Sequence, residues 1–138
     1  MIPWCYSVLM EGFVELQKIL YVGLGGVAGA SLRYLIMLAS VGLFGDKMPW
    51  GTMIVNAVGG LFAGVVMELG IASDFISPAM RLFLMTGILG GFTTFSAFSW
   101  ETMSLFSEGS WLRASLNILL NVALSLWAVM LGRAIVSH

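Results

Sequence analysis

The chain has 138 residues, 59% of them hydrophobic and 9% charged, with a formal net charge of −1. So little polar surface cannot cover a soluble globule, so the chain reads as an integral membrane protein. With no basic run there is nothing to capture nucleic acid electrostatically, which removes it as a partner. A single cysteine, Cys5, forbids an intrachain disulfide, and the one histidine, His138, stands at the very end. The interior therefore lacks the usual metal ligand and general base, and an enzyme is the least favoured reading.

Residues 1–15, MIPWCYSVLMEGFVE, carry no basic n-region and no small-residue cleavage site, so they read as an N-terminal extension at the interface and not as a signal peptide. Met10 is a second candidate start. The remainder, 16–138, reads as one four-helix transmembrane domain. Crossing the hydrocarbon core takes roughly 20 mostly apolar residues, and the windows near 19–43, 51–71, 82–106 and 112–135 supply them. The connectors FGDKMPW, ASDFISPAM and SEGSW hold the Gly, Pro, Asp and Ser that end helices.

Four spans put both termini on one side of the membrane. Lys18, Arg81 and Arg133 then fall on the terminal side and Lys47 and Arg113 on the other, with Arg33 inside the first span. Orientation follows the Lys/Arg asymmetry of short loops, and so even a distribution predicts insertion in both orientations. Four short helices are also too few to enclose an ion pore around a packed core, so a transport role requires a homo-oligomer.

Glycine occurs 17 times, where average usage gives roughly 10. Gly25/Gly29, Gly60/Gly64 and Gly87/Gly91 form small-xxx-small pairs that let helix backbones approach in lipid, either within one chain or at a dimer seam. In the second span Thr52 and Asn56 share one helical face. In the fourth, Asn117, Asn121 and Ser125 at i, i+4, i+8 make a polar stripe. These tracks offer amide and hydroxyl donors but no acid, which suits either interhelical hydrogen bonds or passage of an anion that must not be trapped.

The third span holds GGFTTFSAFSW, residues 90–100. Gly90 and Gly91 are poor helix formers, so the helix is expected to unwind there at mid-membrane, as discontinuous helices do at ion sites. Phe95 and Phe98 follow at i, i+3 with Thr94 and Ser96 close by. Their ring edges are electropositive and either pack in lipid or face an anion. Arg33 is costly at membrane depth and either snorkels to a helix end or faces a vestibule.

The blocks GGVAGASLRY (25–34), GTMIVNAVGG (51–60) and GILGGFTTFSAFSWE (87–101), in that order in a four-span chain, resemble the small fluoride channels of the CrcB/Fluc family over about residues 19–135. The resemblance implies an all-α protein with four transmembrane helices, the third broken at mid-membrane. It further implies a dual-topology antiparallel homodimer in the plasma (inner) membrane, with two fluoride pores and a structural sodium ion at its centre. Gly90 and Thr93 would give backbone carbonyls to that sodium. Phe95 and Phe98 would line the pores, with Thr94 and Ser96 beside them. Asn56 would meet fluoride, Asn121 and Ser125 would continue the track on the fourth helix, and Arg33 would sit at a vestibule. Glu101 matches an acidic position beyond the phenylalanines. Two positions depart from the pattern: Ala97 replaces the second threonine of TTFSTF, and Asn117 stands where some relatives have tyrosine. The implied activity is passive, selective export of fluoride, which lowers its toxicity in the cytoplasm.

Two other classes compete. A proton-coupled four-span drug exporter needs a carboxylate deep in the membrane, whereas Glu15, Glu68 and Glu101 lie toward span ends. A non-transporting assembly subunit would use the glycine pairs and polar stripes for association alone.

Overall fold

A computed structural model describes residues 3–72 and 76–137, with the side chains of 3–13 and 71–72 outside the description. The described residues are helical throughout, apart from connectors and one interruption. They run as α1 (Pro3–Phe44), α2 (Trp50–Ala72), α3 (Pro78–Arg81), a π-helical segment (Leu82–Leu89), α4 (Gly90–Phe92), α5 (Phe95–Ser107) and α6 (Trp111–Val136). Four stretches are long and apolar enough to cross a membrane: Val14–Phe44, Trp50–Gly70, Pro78–Ser107 and Trp111–Val136. The four expected spans are therefore all present, the second as long as its sequence window and the other three longer. The expected N-terminal extension begins outside the described residues. From Pro3 its backbone is helical and continuous with the first span.

Local chemistry explains the helix ends. Gly45, at φ 76°, takes the left-handed conformation that closes α1, and its N–H reaches the Val41 carbonyl at 3.0 Å. Ser77 caps α3 by accepting from the Met80 N–H at 3.2 Å, with Pro78 in the first turn, where a missing N–H costs nothing. Arg81 donates from Nη2 to the Gly70 carbonyl at 2.6 Å and so satisfies an end carbonyl of α2. Arg133 and Glu68 pair nearby at 3.0 Å across α6 and α2.

Two glycine seams hold the bundle. Along the first, α1 lies on the π segment and α4. A Cβ added at Gly25 would fall 2.6 Å from the Phe83 carbonyl oxygen, one at Gly91 would fall 2.7 Å from that of Gly26, and one at Gly29 would meet the Ile88 carbonyl. Along the second, α2 lies on α6. There a Cβ at Gly60 would fall 2.8 Å from the Ser125 carbonyl, while Gly64 and Gly132 press on the backbones of Val129 and Leu61. All three small-xxx-small pairs thus serve packing within the chain. Lipid chains are as apolar as leucine, so dispersion at close backbone approach is what such seams can gain.

The interruption lies three residues beyond its expected place. Gly90, Gly91 and Phe92 remain helical, and the chain extends only at Thr93 (φ −78°, ψ 159°) and Thr94 (φ −151°, ψ 116°). The physical reason is that Gly91 is occupied in the seam with Gly26, so its missing side chain serves helix contact and not unwinding. Just before the break the π segment loosens the helix, with the Gly90 N–H reaching back to the Met85 carbonyl.

The seams make a direct prediction. Gly29→Leu should lower the stability of the purified protein in detergent by about 2 kcal/mol or more, because the neighbour in its way is backbone. Gly42→Ala, which meets nothing within 4 Å, should be neutral or stabilise by up to ~1 kcal/mol. Thermal denaturation of both variants beside the parent checks this.

Candidate functional site

The break exposes one turn of backbone, and Asn56 of α2 takes it over. Its Oδ1 accepts from the Thr94 N–H at 2.8 Å, and its Nδ2 donates to the Thr94 carbonyl at 3.1 Å. In an unbroken helix the Thr94 N–H would reach the Gly90 carbonyl. Here it does not, so that carbonyl loses its helical donor. Thr94 then starts α5 as its cap, its Oγ1 accepting from the Ala97 N–H at 3.1 Å. Thr93 turns its carbonyl toward α1, where Arg33 Nη1 donates to it at 3.3 Å.

The second Nδ2 hydrogen of Asn56 begins a chain of amides. Asn56 donates to Asn121 Oδ1 at 3.0 Å, and Asn121 donates to Asn117 Oδ1 at 2.8 Å and, less closely, to the Asn117 carbonyl at 3.3 Å. Asn117 donates to Thr102 Oγ1 at 2.9 Å, and the Thr102 hydroxyl donates to the Phe98 carbonyl at 2.7 Å. The relay's direction is set at one end by the Thr94 N–H, which can only donate, and at the other by the Thr102 hydroxyl, which here donates to the Phe98 carbonyl, and each amide between them is oriented accordingly.

Beside this relay lies a groove of about 460 Å³ whose lining includes Asn56, Gly90, Thr93, Thr94, Phe95, Phe98, Asn121 and Ser125. The Phe95 and Phe98 rings stand 5.4 Å apart, tilted by 54°. Phe95 is 77% exposed in the single chain, so the groove is open on that flank. At the connector end a second cavity of about 470 Å³ is lined by Asp46, Lys47, Thr52, Glu101, Glu108 and Arg113, among others. Thr52 donates to Glu101 Oε1 at 2.6 Å, while Oε2 is buried without a protein partner.

Eight of the residues expected at the site therefore meet in one groove, drawn from α2, the third span and α6. Four do not. Ser96 is exposed, its hydroxyl 3.4 Å from that of Thr94, and lies outside the groove lining. Asn117, at 0% exposure, stands behind Asn121 as an internal link. Glu101 belongs to the connector-end cavity, and Arg33 braces the break from α1. Thr102 is a member of the relay that the sequence reading passed over. The available signal was its place at i+7 from Phe95 and i+4 from Phe98, on the phenylalanine face.

Chemically, the groove offers hydroxyls, amides and ring edges, and among the described residues no group of three His, Cys, Asp or Glu gathers to hold a metal ion. Such a lining is suited to a small anion that sheds water in steps. The Gly90 carbonyl, without its helical donor, is a neutral oxygen at the break, while the Thr93 carbonyl already accepts from the Arg33 guanidinium.

The family model for CrcB-like protein, Camphor Resistance (CrcB), matches residues 20–133. A curated protein of Shewanella sp. (strain W3-18-1) called fluoride-specific ion channel FluC is 46% identical over 121 residues, covering 88% of this chain and 97% of its own. One of the same name from Clostridium perfringens (strain 13 / Type A) is 48% identical over 119 residues, covering 86% of this chain and 93% of its own.

The clamp and the exposed ring predict effects of different size on stability. Asn56→Ala should destabilise the protein by ~1–3 kcal/mol for each backbone group of Thr94 left without a partner. Phe95→Ala, at an exposed position, should change it by no more than ~0.5 kcal/mol. Melting curves of the two variants in one detergent decide between them.

Proposed function

The chain belongs to the CrcB family, and on that premise we propose that its groove carries fluoride through a dimer of two copies inserted in opposite orientations. The protein is a multi-pass membrane protein and a fluoride-specific ion channel, a passive pore and not an enzyme. The observation that carries the reading is the convergence of Asn56, Thr94, Phe95, Phe98, Asn121 and Ser125 on one groove at the break of the third span. A dehydrating fluoride ion meets hydroxyl and amide donors on one side and ring edges on the other, each too weak to hold it alone.

The second copy is supported by the open flank. Phe95 stands at a helix start inside the span with most of its ring uncovered, and a partner chain would close the groove there. The near-even split of Lys18, Arg81 and Arg133 against Lys47 and Arg113 lets the two copies insert oppositely. Gly90 and Thr93, repeated in the partner, would hold a sodium ion between their carbonyls, with Arg33 releasing the Thr93 carbonyl to it. That ion would supply a fixed positive charge near the path and tie the two breaks together.

In a cell, hydrogen fluoride crosses the plasma (inner) membrane as a neutral acid and ionises in the less acidic cytoplasm. Fluoride then leaves through the pore, driven by a negative-inside potential. Every step at the protein is passive electrodiffusion, so no proton need be exchanged. The lack of a carboxylate in the groove lining weighs against the proton-coupled exporter.

Liposomes loaded with fluoride or chloride and carrying the purified protein test the function. Fluoride should be released rapidly and chloride hardly at all, as read by ion-selective electrodes. Phe98→Ala should slow fluoride release by roughly tenfold or more, as the loss of about 1.4 kcal/mol of transit stabilisation would. Silence from a well-folded dimer would leave the assembly subunit as the better account. Exchanging sodium for a large organic cation throughout purification should weaken the dimer in cross-linking, and an unchanged dimer would remove sodium from the proposal.

A further inference from the structure

The relay poses a difficulty for an anion, and its far end offers the solution. Both Nδ2 hydrogens of Asn56 are already committed, one to the Thr94 carbonyl and one to Asn121 Oδ1. An anion arriving there would face the lone pairs of Asn121 Oδ1, which repel it. Asn56 cannot turn over to help, because the Thr94 N–H requires its Oδ1. Asn121 and Asn117 can, since only other side chains and one long bond to the Asn117 carbonyl, at 3.3 Å, hold their orientation.

What sets their direction is Thr102. Its hydroxyl donates to the Phe98 carbonyl, so its oxygen accepts from Asn117, and that sets the direction of every amide up to Asn56. A hydroxyl is the one member of the relay that can serve in both directions by rotating about a single bond. The Phe98 carbonyl also receives the helical N–H of Thr102 within α5 and is not orphaned if the hydroxyl leaves it.

We infer that Thr102 is a positioning residue for the anion: rotation of its O–H from Phe98 to Asn117 reverses the amide relay and turns the Asn121 N–H toward the groove beside that of Asn56. In the reversed direction Thr102 donates to Asn117, Asn117 donates to Asn121, and Asn121 presents Nδ2 where its oxygen had been. Two N–H donors then converge on one point of the groove. That arrangement is unfavourable when empty and suits an ion that only accepts, so reversal and anion occupancy stabilise each other. The relay uses Asn117, this chain's substitute for the tyrosine of some relatives, as the link that makes reversal possible.

This inference rests on the reading of the groove as a fluoride path, and the experiment separates the two. Parent, Thr102→Val and Thr102→Ser are reconstituted for fluoride efflux. In parallel, each is labelled with 15N-asparagine, and its side-chain amides are followed by NMR in micelles as sodium fluoride is added. Thr102→Val should release fluoride roughly tenfold more slowly than the parent, the effect of losing one charge-assisted hydrogen bond. Its oligomeric state should be unchanged while its melting temperature falls, because the buried Asn117 Nδ2 loses its acceptor, and Thr102→Ser should restore both the rate and the melting temperature. Fluoride should shift the Asn56 and Asn121 side-chain signals in the parent and in Thr102→Ser but not in Thr102→Val. Should Thr102→Val fold poorly, Thr102→Ala, which removes the hydroxyl without branched bulk, carries the same expectation.

Normal flux in Thr102→Val overturns the inference. So does equal slowing in Val and Ser, which would make the site one of shape and not of hydrogen bonding. Fast efflux from a parent whose asparagine amides ignore fluoride overturns the relay and leaves the channel standing. A silent parent with silent amides overturns both.

Discussion

A membrane-spanning chain cannot leave backbone groups unpaired in lipid, each costing several kcal/mol, and the molecule is arranged around one place where it breaks its helix nonetheless. At Thr94 the helical ladder is interrupted and the Asn56 side chain supplies both missing partners, accepting from the N–H and donating to the carbonyl. An asparagine amide has the donor and acceptor of a peptide group, so it can stand in for the absent turn. Everything functional follows from that substitution. The chain can turn at mid-membrane, Thr94 can cap a new helix, and Phe95 and Phe98 can be carried on the first turn of α5 to face the groove.

For the clamp to work, α2 must lie close to the third span and both must be fixed relative to α6. The glycine seams provide that. Gly59, three residues beyond Asn56, faces the Thr93 side chain, while Gly60 and Gly64 seat α6 on the other flank of α2. Gly25, Gly29 and Gly91 bring α1 near enough for Arg33 to reach the Thr93 carbonyl. In lipid there is no hydrophobic pull to correct a loose fit, so backbone-to-backbone approach is what sets the position of the polar groups. A side chain in either seam would widen the distances on which the hydrogen bonds depend.

The polar residues then divide by role. The amides form a continuous internal relay oriented by the Thr94 N–H at one end and the Thr102 hydroxyl at the other, whereas Ser125 and the two rings line the groove without being consumed by it. Weak, numerous and adjustable contacts suit passage, because a single strong one would hold the ion. The carboxylate of Glu101 and the charged groups around it are kept at the connector end, away from the groove. That separation keeps a fixed negative charge, which would oppose an anion, out of the groove lining.

Composition and periodicity alone established a membrane protein of four spans, because the length of an apolar run is tied to the thickness of the bilayer. The i, i+4 spacing of Asn117, Asn121 and Ser125, and of Thr52 and Asn56, placed those residues on shared helical faces. The blocks around Gly25, Asn56 and Phe95 identified the family, as the comparisons bear out. Only the tertiary structure decided where the third span breaks. A glycine pair reads the same in sequence whether it unwinds a helix or lets one pack, and Gly91 is occupied by its contact with α1. Nor could the sequence separate Asn117 from Asn121, since both lie on one stripe. One ends in the interior against Thr102 and the other in the groove beside Asn56. That difference is made by neighbouring helices, and sequence spacing along one helix carries no record of what stands opposite.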